Sequence, residues 1–349
     1  MQDKPQLYIA CDGPQFDPTI ISHWQEEGFD VQLLPFTGDA RAYTRNLDLL
    51  GEDLEQGEHF AIAAYGAAAG VCLYAANEAI HRLCALVAYY PTSMPTHNDR
   101  FHPSLKGVVH LASSQNFAPA FDHYLYPNTK PSFAEHDSNQ FDKVAAALAW
   151  SRSLAVVRKA FKIEVNLERV WEDHVALEFA TKDAAATMRT MVDEPYVNHI
   201  PTLTGGIGKQ DLFRFYRDYF IPKNPPSMKV DLVSRTIGTD RVVDEMIISF
   251  DHTQEVPWML PDVPPTHCHV KIALVGVVNI RGGKLYHEHL YWDQASVLVQ
   301  IGLLDPKLVP QHMRSKGLKR LPVYGVATAE KVVDEFSHPS NQLLSSWKA

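Results

Sequence analysis

The sequence has few cysteines and no pattern that would give them a metal or redox role. Only four of the 349 residues are cysteine, and no two have the Cys-x-x-Cys spacing of a metal or redox motif. Scattered cysteines of this kind predict buried free thiols in a reducing compartment. We therefore expect a cytoplasmic protein. The four residues are Cys11, Cys72, Cys84 and Cys268.

An excess of basic residues and a long apolar run are also missing. The formal net charge is −9, and no stripe of lysine or arginine stands out, which argues against a nucleic-acid partner. No stretch approaches the roughly 18 apolar residues that a membrane helix requires. The first residues, MQDKPQLYIACDG, lack the basic and apolar segments of a secretory signal. We expect neither nucleic acid nor a membrane as partner.

What the chain does have is the composition of a globular protein and enough length for about two domains. Hydrophobic residues make up 46% and charged residues 21% of the sequence. A domain takes roughly 150 residues. The pattern changes near residues 160–168, and we place domains at 1–162 and 163–305, followed by an extended tail over 306–349.

The first part alternates short apolar strands with helical stretches. QLYIACDG, DVQLLPF, HFAIAAYG, CALVAYYP and GVVHLASS have the length and composition of strands, and helical patterns separate several of them. A long helix, FDKVAAALAWSRSLAVVRKAF, closes this part. Such alternation predicts a parallel sheet with helices on both faces.

The second part begins with helices and continues with long strands. LERVWEDHVALEFATKDAAATMRTMV and DLFRFYRDYFI are helical in pattern, and four long strands follow from Val230 onward. RGGK, between the last two strands, is a hairpin turn signal. This order predicts an α+β domain with a curved antiparallel sheet.

The first part resembles the dienelactone hydrolase family of α/β-hydrolases. The resemblance rests on GAAAG (66–70) after a strand, on AYYP (88–91), and on the segment 126–154 ending AAALAWSRSL. GAAAG stands where that family has its nucleophile elbow, a strand-to-helix turn that presents the attacking residue. The resemblance implies an α/β-hydrolase fold.

The residues at the implied catalytic positions cannot carry out hydrolysis. Ala68 stands in the nucleophile position, Pro131 in the histidine position, and Gln115 or Asn116 in the acid position. A hydrolase of this kind requires a nucleophile, a base and an acid that orients the base. We expect a hydrolase fold without hydrolysis, although Cys72 or His136 could in principle act instead.

The second part resembles the SnoaL-like polyketide cyclases of the ketosteroid-isomerase-like superfamily, which form cone-shaped α+β domains. The motifs are YVNHIPTLTGGIG (196–208), FDHTQE (250–255) and GGKLYHEHLYWDQASVLVQIGLL (282–304). The fusion of the two parts resembles proteins of fungal secondary metabolism. The resemblance implies a closing strand whose Asp293 acts as general acid and base in an apolar pocket, without cofactor or metal. It also implies a homodimer formed through the outer face of the sheet.

The closing strand supports this interpretation by its own spacing. With a period of two, His287, His289, Tyr291 and Asp293 share one face. Such a face is costly in a core unless its members bond to one another or to a ligand. We predict that Asp293, His289 and His252 are catalytic, His252 being carried over from the resemblance. The alternative is a strand face in contact with water.

Further residues are predicted to bind substrate. Besides Tyr291 and His287, these are His199 and Tyr196 in the glycine-rich motif, and Trp258 and Met259 in VPWMLP. His199 could equally be a loop histidine, and VPWMLP could be either a mobile lid or a loop packed on the core. We expect Glu245 and Glu288 to face outward.

The His-x-His pairs at 287–289 and 267–269 also allow a metal site, with Asp293 or His252 as a third ligand. Because the pattern is common in strands, we expect no metal.

Together these observations predict a cofactor-independent cyclase, isomerase or dehydratase that acts on a hydrophobic polyketide- or terpenoid-like molecule. Asp293 would move a proton next to a carbonyl, while His289, His252 or Tyr291 would bond the enolate. Three alternatives stay open: a pericyclase that only folds its substrate, a non-catalytic binding or scaffold protein, and residual ester or lactone hydrolysis by the first part.

Overall fold

The apolar runs of the first part form a fully parallel sheet in the computed structural model, which describes residues 4–52, 54–96 and 101–347. The strands are β1 (Gln6–Cys11), β2 (Asp30–Pro35), β3 (Phe60–Tyr65), β4 (Leu83–Tyr89), β5 (Lys106–Ala112) and β6 (Asp122–Tyr126). Their order in the sheet is β2-β1-β3-β4-β5-β6. Every residue of β3 and β4 is buried, as expected for strands covered on both faces.

Helices cover the two faces of this sheet. They are α1 (Pro18–Glu26), α2 (Ala40–Leu49), α3 (Gly66–Asn77) and α4 (Lys143–Phe161). Trp24 of α1 and Leu154 of α4 pack in one apolar cluster, while Leu47 of α2 and Leu73 of α3 pack in another. Alternate residues of β3 belong to the two clusters. The predicted parallel sheet with helices on both faces is confirmed; α2 and β6 are additions to the predicted elements.

A buried hydrogen-bond network joins α4 to the sheet. Ser153 Oγ donates to the Ala149 carbonyl oxygen at 2.8 Å and lies 2.7 Å from Tyr89 Oη and 2.9 Å from His110 Nε2. His110 Nδ1 lies 2.9 Å from Tyr126 Oη. Burial and, to a smaller extent, the charge of Arg152 together lower the pKa of His110 to about 3. His110 is therefore neutral in the folded protein.

The second part of the chain forms a six-stranded sheet and several helical segments. The strands are β7 (Met191–His199), β8 (Thr204–Ile207), β9 (Lys229–Ile237), β10 (Arg241–Asp251), β11 (His269–Arg281) and β12 (Lys284–Trp292). The helices are α5 (Leu167–Ala176), α6 (Ala184–Arg189), α7 (Gly208–Phe215), α8 (Gln294–Gln300), α9 (Gln311–Arg314) and α10 (Ala327–Val333). Two π-helical segments, Leu177–Thr181 and Tyr216–Phe220, continue α5 and α7, and a 3₁₀ turn, Ile221–Lys223, follows the second.

The second sheet is mixed, where the sequence pattern predicted an antiparallel one. Its order is β8-β7-β12-β11-β10-β9, and β7 runs parallel to β12. The meander from β9 to β12 is antiparallel, as predicted. The parallel pair joins strands that are far apart in sequence, so no local turn signal marks it. The predicted hairpin is confirmed: Arg281 pairs with Lys284 across Gly282 and Gly283, both with positive φ.

The two parts are separate units that meet in sequence between Val165 and Asn166. The segment after residue 305, which we expected to be an extended tail, belongs to the second unit and includes α9 and α10. Within the described ranges, no helix has the length and apolar character that crossing a membrane requires.

The state of His110 predicts how stability depends on pH. The unfolded chain takes up this proton near pH 6.5, whereas the folded chain does so only near pH 3. The contribution of His110 to the free energy of unfolding should therefore be at its maximum above pH 6.5. It should fall as the pH drops toward 3, by up to about 1.4 kcal/mol per pH unit. In His110→Gln the decline should be shallower, as measured by urea unfolding across this range. Parallel pH profiles would contradict the buried neutral state.

Candidate functional site

The second unit contains a cavity of about 470 Å³ between the inner face of its sheet and its helical segments. Its wall is mostly apolar, with side chains from α5, the first π segment and strands β9 to β12. A volume of this size accommodates a small organic molecule. Representative wall residues are Phe179, Met228, Val230, Leu232, Ile248 and Leu290.

Glu288 projects into this apolar cavity from the inner face of β12. Leu285, Glu288, Leu290 and Trp292 are the buried residues of the strand. Leu285 and Glu288 are both buried, although three residues apart, because the register with β7 shifts between Leu285 and His287. Glu288 is 4% exposed, and its carboxyl forms no hydrogen bond with another residue that the structure describes. Burial raises the pKa of its carboxyl well above the usual range, and the charge of Glu178 raises it further.

A second buried carboxyl, Glu178, lies beside Glu288 and is bound to His174. The two residues are one helical turn apart, and His174 Nε2 lies 3.0 Å from Glu178 Oε1. One ring nitrogen of His174 and one carboxyl oxygen from each glutamate all lie within 4.8 Å of one another. Glu178 lines the cavity, whereas His174 is fully buried behind it.

The hydrogen bonds of His174 fix where its protons are. Thr190 Oγ1 donates to the Thr187 carbonyl oxygen at 2.7 Å, so at 2.6 Å it accepts from Nδ1–H of His174. The contact between Nε2 and Glu178 then requires one proton, which sits on either atom. His174 and Glu178 therefore share one proton, and the imidazole orients the carboxyl.

Tyr216 completes the surroundings of Glu178. It is 1% exposed and begins the second π segment, as Glu178 belongs to the first. Burial raises the pKa of Tyr216 well above its usual range, and the charges of Glu178 and Glu288 and its hydrogen bond to Glu178 add to this. Tyr216 is therefore a hydrogen-bond donor to Glu178. π-Helical turns frequently occur at functional sites.

These contacts place a proton on Glu288. Two ionised carboxylates this close in an apolar environment repel each other and lose their hydration. The proton shared with His174 neutralises the negative charge of Glu178, and a second proton neutralises that of Glu288. The arrangement thus presents a neutral carboxylic acid to the cavity, with a hydrogen-bonded carboxyl beside it.

An ion cluster closes another part of the wall. Arg235 Nε and Nη2 donate to the two oxygens of Asp244 at 2.8 Å, and Trp171 Nε1 donates to Asp244 Oδ2 at 2.8 Å. Arg235 Nη1 donates to Glu168 and Glu172, both at 2.9 Å. The cluster ties β9, β10 and α5 together.

The face of β12 that the sequence predicted to be the site is the outer face. His287 and His289 are half-buried there beside the ring of Tyr196, at 5.5 and 5.3 Å between centroids, and Tyr291 is 43% exposed. Asp293 lies beyond the strand, where it caps α8 by accepting from Ala295 N–H at 3.0 Å. His287, His289 and Tyr291 share one face of the strand, as predicted. That face points away from the core, because the buried residues of β12, Leu285, Glu288, Leu290 and Trp292, are on the other face.

The other predicted residues lie in the core of the unit. His252 is fully buried, its Nδ1 is 3.0 Å from Thr266 Oγ1, and burial lowers its pKa, as does the charge of His267. His199 packs among Phe215, Phe220, Trp258 and Trp292, and burial lowers its pKa to about 4. Neither lines the cavity.

Of the VPWMLP motif, Trp258 lines the cavity. Trp258 and Met259 are 2% and 0% exposed. This is the packed loop that we had kept as the alternative to a mobile lid.

Glu288 was expected to face outward, and the structure corrects this. His174 and Glu178 were not identified from the sequence. The sequence signal for this pair is the spacing of four residues between histidine and glutamate in HVALE. That spacing does not identify a site, because such pairs are common on exposed helix faces.

The strand-to-helix turn of the first unit has its left-handed residue at Gly66 rather than at Ala68. Gly66 has φ +59°, and a Cβ there would lie 2.3 Å from Asp12 Oδ2. The Asp12 carboxylate accepts from Ala67 N–H and Ala68 N–H, both at 2.7 Å. Gly66 shares a cleft of about 300 Å³ with Pro131 and Gln115, whereas Ala68, at the predicted nucleophile position, is fully buried and does not line it.

Comparisons with known proteins give fold likenesses only. No protein-family model and no curated protein matches the sequence. Solved structures similar to the chain include TsrD from Streptomyces laurentii, 15% identical, covering 40% of this chain and 100% of its own with a TM-score of 0.34. A candidate SnoaL-like polyketide cyclase from Jannaschia sp. CCS1 is 16% identical, covering 41% and 99%, with a TM-score of 0.32. A protein with a ketosteroid-isomerase-like fold from Catenulispora acidiphila DSM 44928 is 15% identical, covering 41% and 96%, with a TM-score of 0.30. The chemistry of the site therefore has to come from its own residues.

The proximity of the two glutamates predicts that Glu178→Gln lowers the pKa of Glu288, because a neighbouring negative charge is removed. Burial should still keep that pKa above the ordinary range. The measurement is the pH titration of the carboxylic C=O stretch in the infrared difference spectrum between each protein and its Glu288→Gln counterpart. An unchanged or raised midpoint would show that the two carboxyls do not interact.

Proposed function

We propose that the second unit is a cofactor-independent acid–base enzyme of the cyclase, isomerase or dehydratase type, acting on a hydrophobic polyketide- or terpenoid-like molecule. The observation that carries this proposal is Glu288: a buried carboxyl without a hydrogen-bond partner in the described chain, directed into an apolar cavity. A carboxylic acid held neutral in this way can donate a proton to a bound oxygen.

The neighbouring carboxyl supplies the complementary role. Glu288 would give its proton to a substrate carbonyl oxygen as Glu178 takes the proton from the adjacent carbon, which forms an enol. His174 positions Glu178 and, with the shared proton on its Nε2, leaves Glu178 ionised so that the carboxylate can take up the substrate proton. The enol then closes onto a second carbon, takes a proton at a new position, or expels a leaving group. Paired carboxyls with different environments commonly divide the acid and base roles in this way.

The residues predicted from the sequence define a second candidate site on the outer face of β12. Tyr196, His287 and His289 are in contact there, with Asp293 at the strand end. We keep Asp293 and His289 as its acid–base residues. Glu288 lines the apolar cavity of the unit and none of these four residues does, which is why we favour Glu288.

For the first unit, we propose a hydrolase-like fold without hydrolytic activity. Its support is the cleft that Gly66, Pro131 and Gln115 line, which has no histidine among its described lining residues to activate a nucleophile.

The proposal predicts that Glu288→Gln slows proton exchange at carbon by about 10²- to 10⁴-fold. The assay incubates the protein in D₂O with a panel of apolar β-dicarbonyl and β,γ-unsaturated ketones and measures deuterium uptake by mass spectrometry. Glu245→Gln is the matched control, because it makes the same change on the opposite face of the sheet. Full activity in Glu288→Gln, with loss in Asp293→Asn or His289→Ala, would place the chemistry on the outer face. No exchange by any form of the protein, despite ligand binding, would favour a binding protein instead.

A further inference from the structure

The charged groups on the cavity wall are predominantly acidic. Glu172, Glu178, Asp244 and Glu288 line it, against Arg235 as the basic side chain on the wall in the described part of the chain. This imbalance bears on which ligands the cavity can hold, because the wall is otherwise apolar and screens charge poorly.

Arg235 is not available to a negatively charged ligand. Its Nε and Nη2 donate to Asp244, and its Nη1 donates to Glu168 and Glu172. Three carboxylates thus surround one guanidinium, and the cluster as a whole stays negative. Four of the five N–H groups of Arg235 are used in this way, so a substrate carboxylate or phosphate could not form a two-point contact with it.

At the other acidic position, the carboxyl of Glu288 has no hydrogen-bond partner within the described ranges of the chain. It is more than nine-tenths buried and faces the cavity beside Glu178. Around it lie Glu178 and His174 from the segment at 174–178 and Tyr216 from the second π segment. His174 and Tyr216 are both bonded to Glu178, so the pair of carboxyls lacks one positive charge, which a proton supplies in the empty cavity.

Aromatic rings form part of the same wall. Trp171, Phe179, Phe220 and Trp258 all line the cavity, and Phe220 and Trp258 lie 5.5 Å apart between ring centroids. Aromatic faces attract organic cations, above all quaternary and protonated amines with little hydration. A buried carboxyl, aromatic rings and apolar side chains together suit a lipophilic cation better than a neutral or anionic molecule.

We propose that the cavity binds hydrophobic substrates that carry a protonated or quaternary amine, with the ammonium group beside Glu288. This inference rests on the proposed function in taking the same cavity as the substrate site. The ammonium charge replaces the proton on Glu288, which leaves to solvent. Glu288 is then ionised and serves as the counter-charge of the ammonium group, while Glu178 keeps the role of base proposed above.

The test compares a cation with its neutral isostere. Dibenzyldimethylammonium and 2,2-dibenzylpropane have the same shape and differ in charge, and each displaces Nile red from the intact protein. We expect the cation to bind at least about tenfold more tightly. Glu288→Gln should abolish the preference, Glu178→Gln should weaken it, and Glu245→Gln on the outer face should retain it. Calorimetry in buffers of different ionisation enthalpy should show that binding of the cation releases a proton, and that this release is absent in Glu288→Gln.

Equal affinities for the two isosteres, or a preference that persists in Glu288→Gln with native thermal unfolding, would overturn the inference. So would displacement of the cation by Zn²⁺ with the same dependence on Glu288, because the missing charge would then be a metal ion. A failure of this inference can be distinguished from a failure of the proposed function. Deuterium exchange that depends on Glu288, without a preference for the cation, leaves the acid–base proposal intact and removes only this one.

Discussion

The second unit is organised around two carboxyl groups that the fold buries side by side. Glu178 and Glu288 come from a helical segment and a strand more than 100 residues apart, and their proximity costs free energy unless positive charge accompanies them. His174 supplies part of that charge through a shared proton, and Thr190 and Thr187 hold the imidazole in the required tautomer. Tyr216 adds a donor. The stabilising effect of each of these groups on the two carboxyls depends on the protonation state of its neighbour.

The π segments explain how two regular helices deliver these groups to one point. A π turn inserts one residue into the helical repeat and rotates the side chains that follow. Glu178 and Tyr216 lie at such turns. The register shift before His287 does the same for the strand, since it brings Glu288 onto the buried face with Leu285. The site is thus built from three local irregularities.

The sequence predicted the first sheet well, because buried parallel strands are short apolar runs separated by helices. It predicted the β9–β12 meander and the Gly282–Gly283 turn for the same local reason. It did not predict the parallel pairing of β7 with β12, which no neighbouring residue specifies. On β12 the period of two correctly grouped His287, His289 and Tyr291, but a period alone cannot tell which face meets the core. We predicted that the histidines face the interior because their side chains can act as acids and bases. The interior face instead holds Leu285, Leu290 and Trp292, with a single glutamate among them.

The turn at Gly66 limits what later evolution of the first unit can do. A side chain at Gly66 would collide with the Asp12 carboxylate, and that carboxylate occupies the amide groups of Ala67 and Ala68 at the start of α3. A serine at position 66 would therefore be selected against until Asp12 had also changed, and loss of Asp12 alone would leave the helix start uncapped. Each single step lowers stability, so a side chain at position 66 becomes accessible only through at least two substitutions.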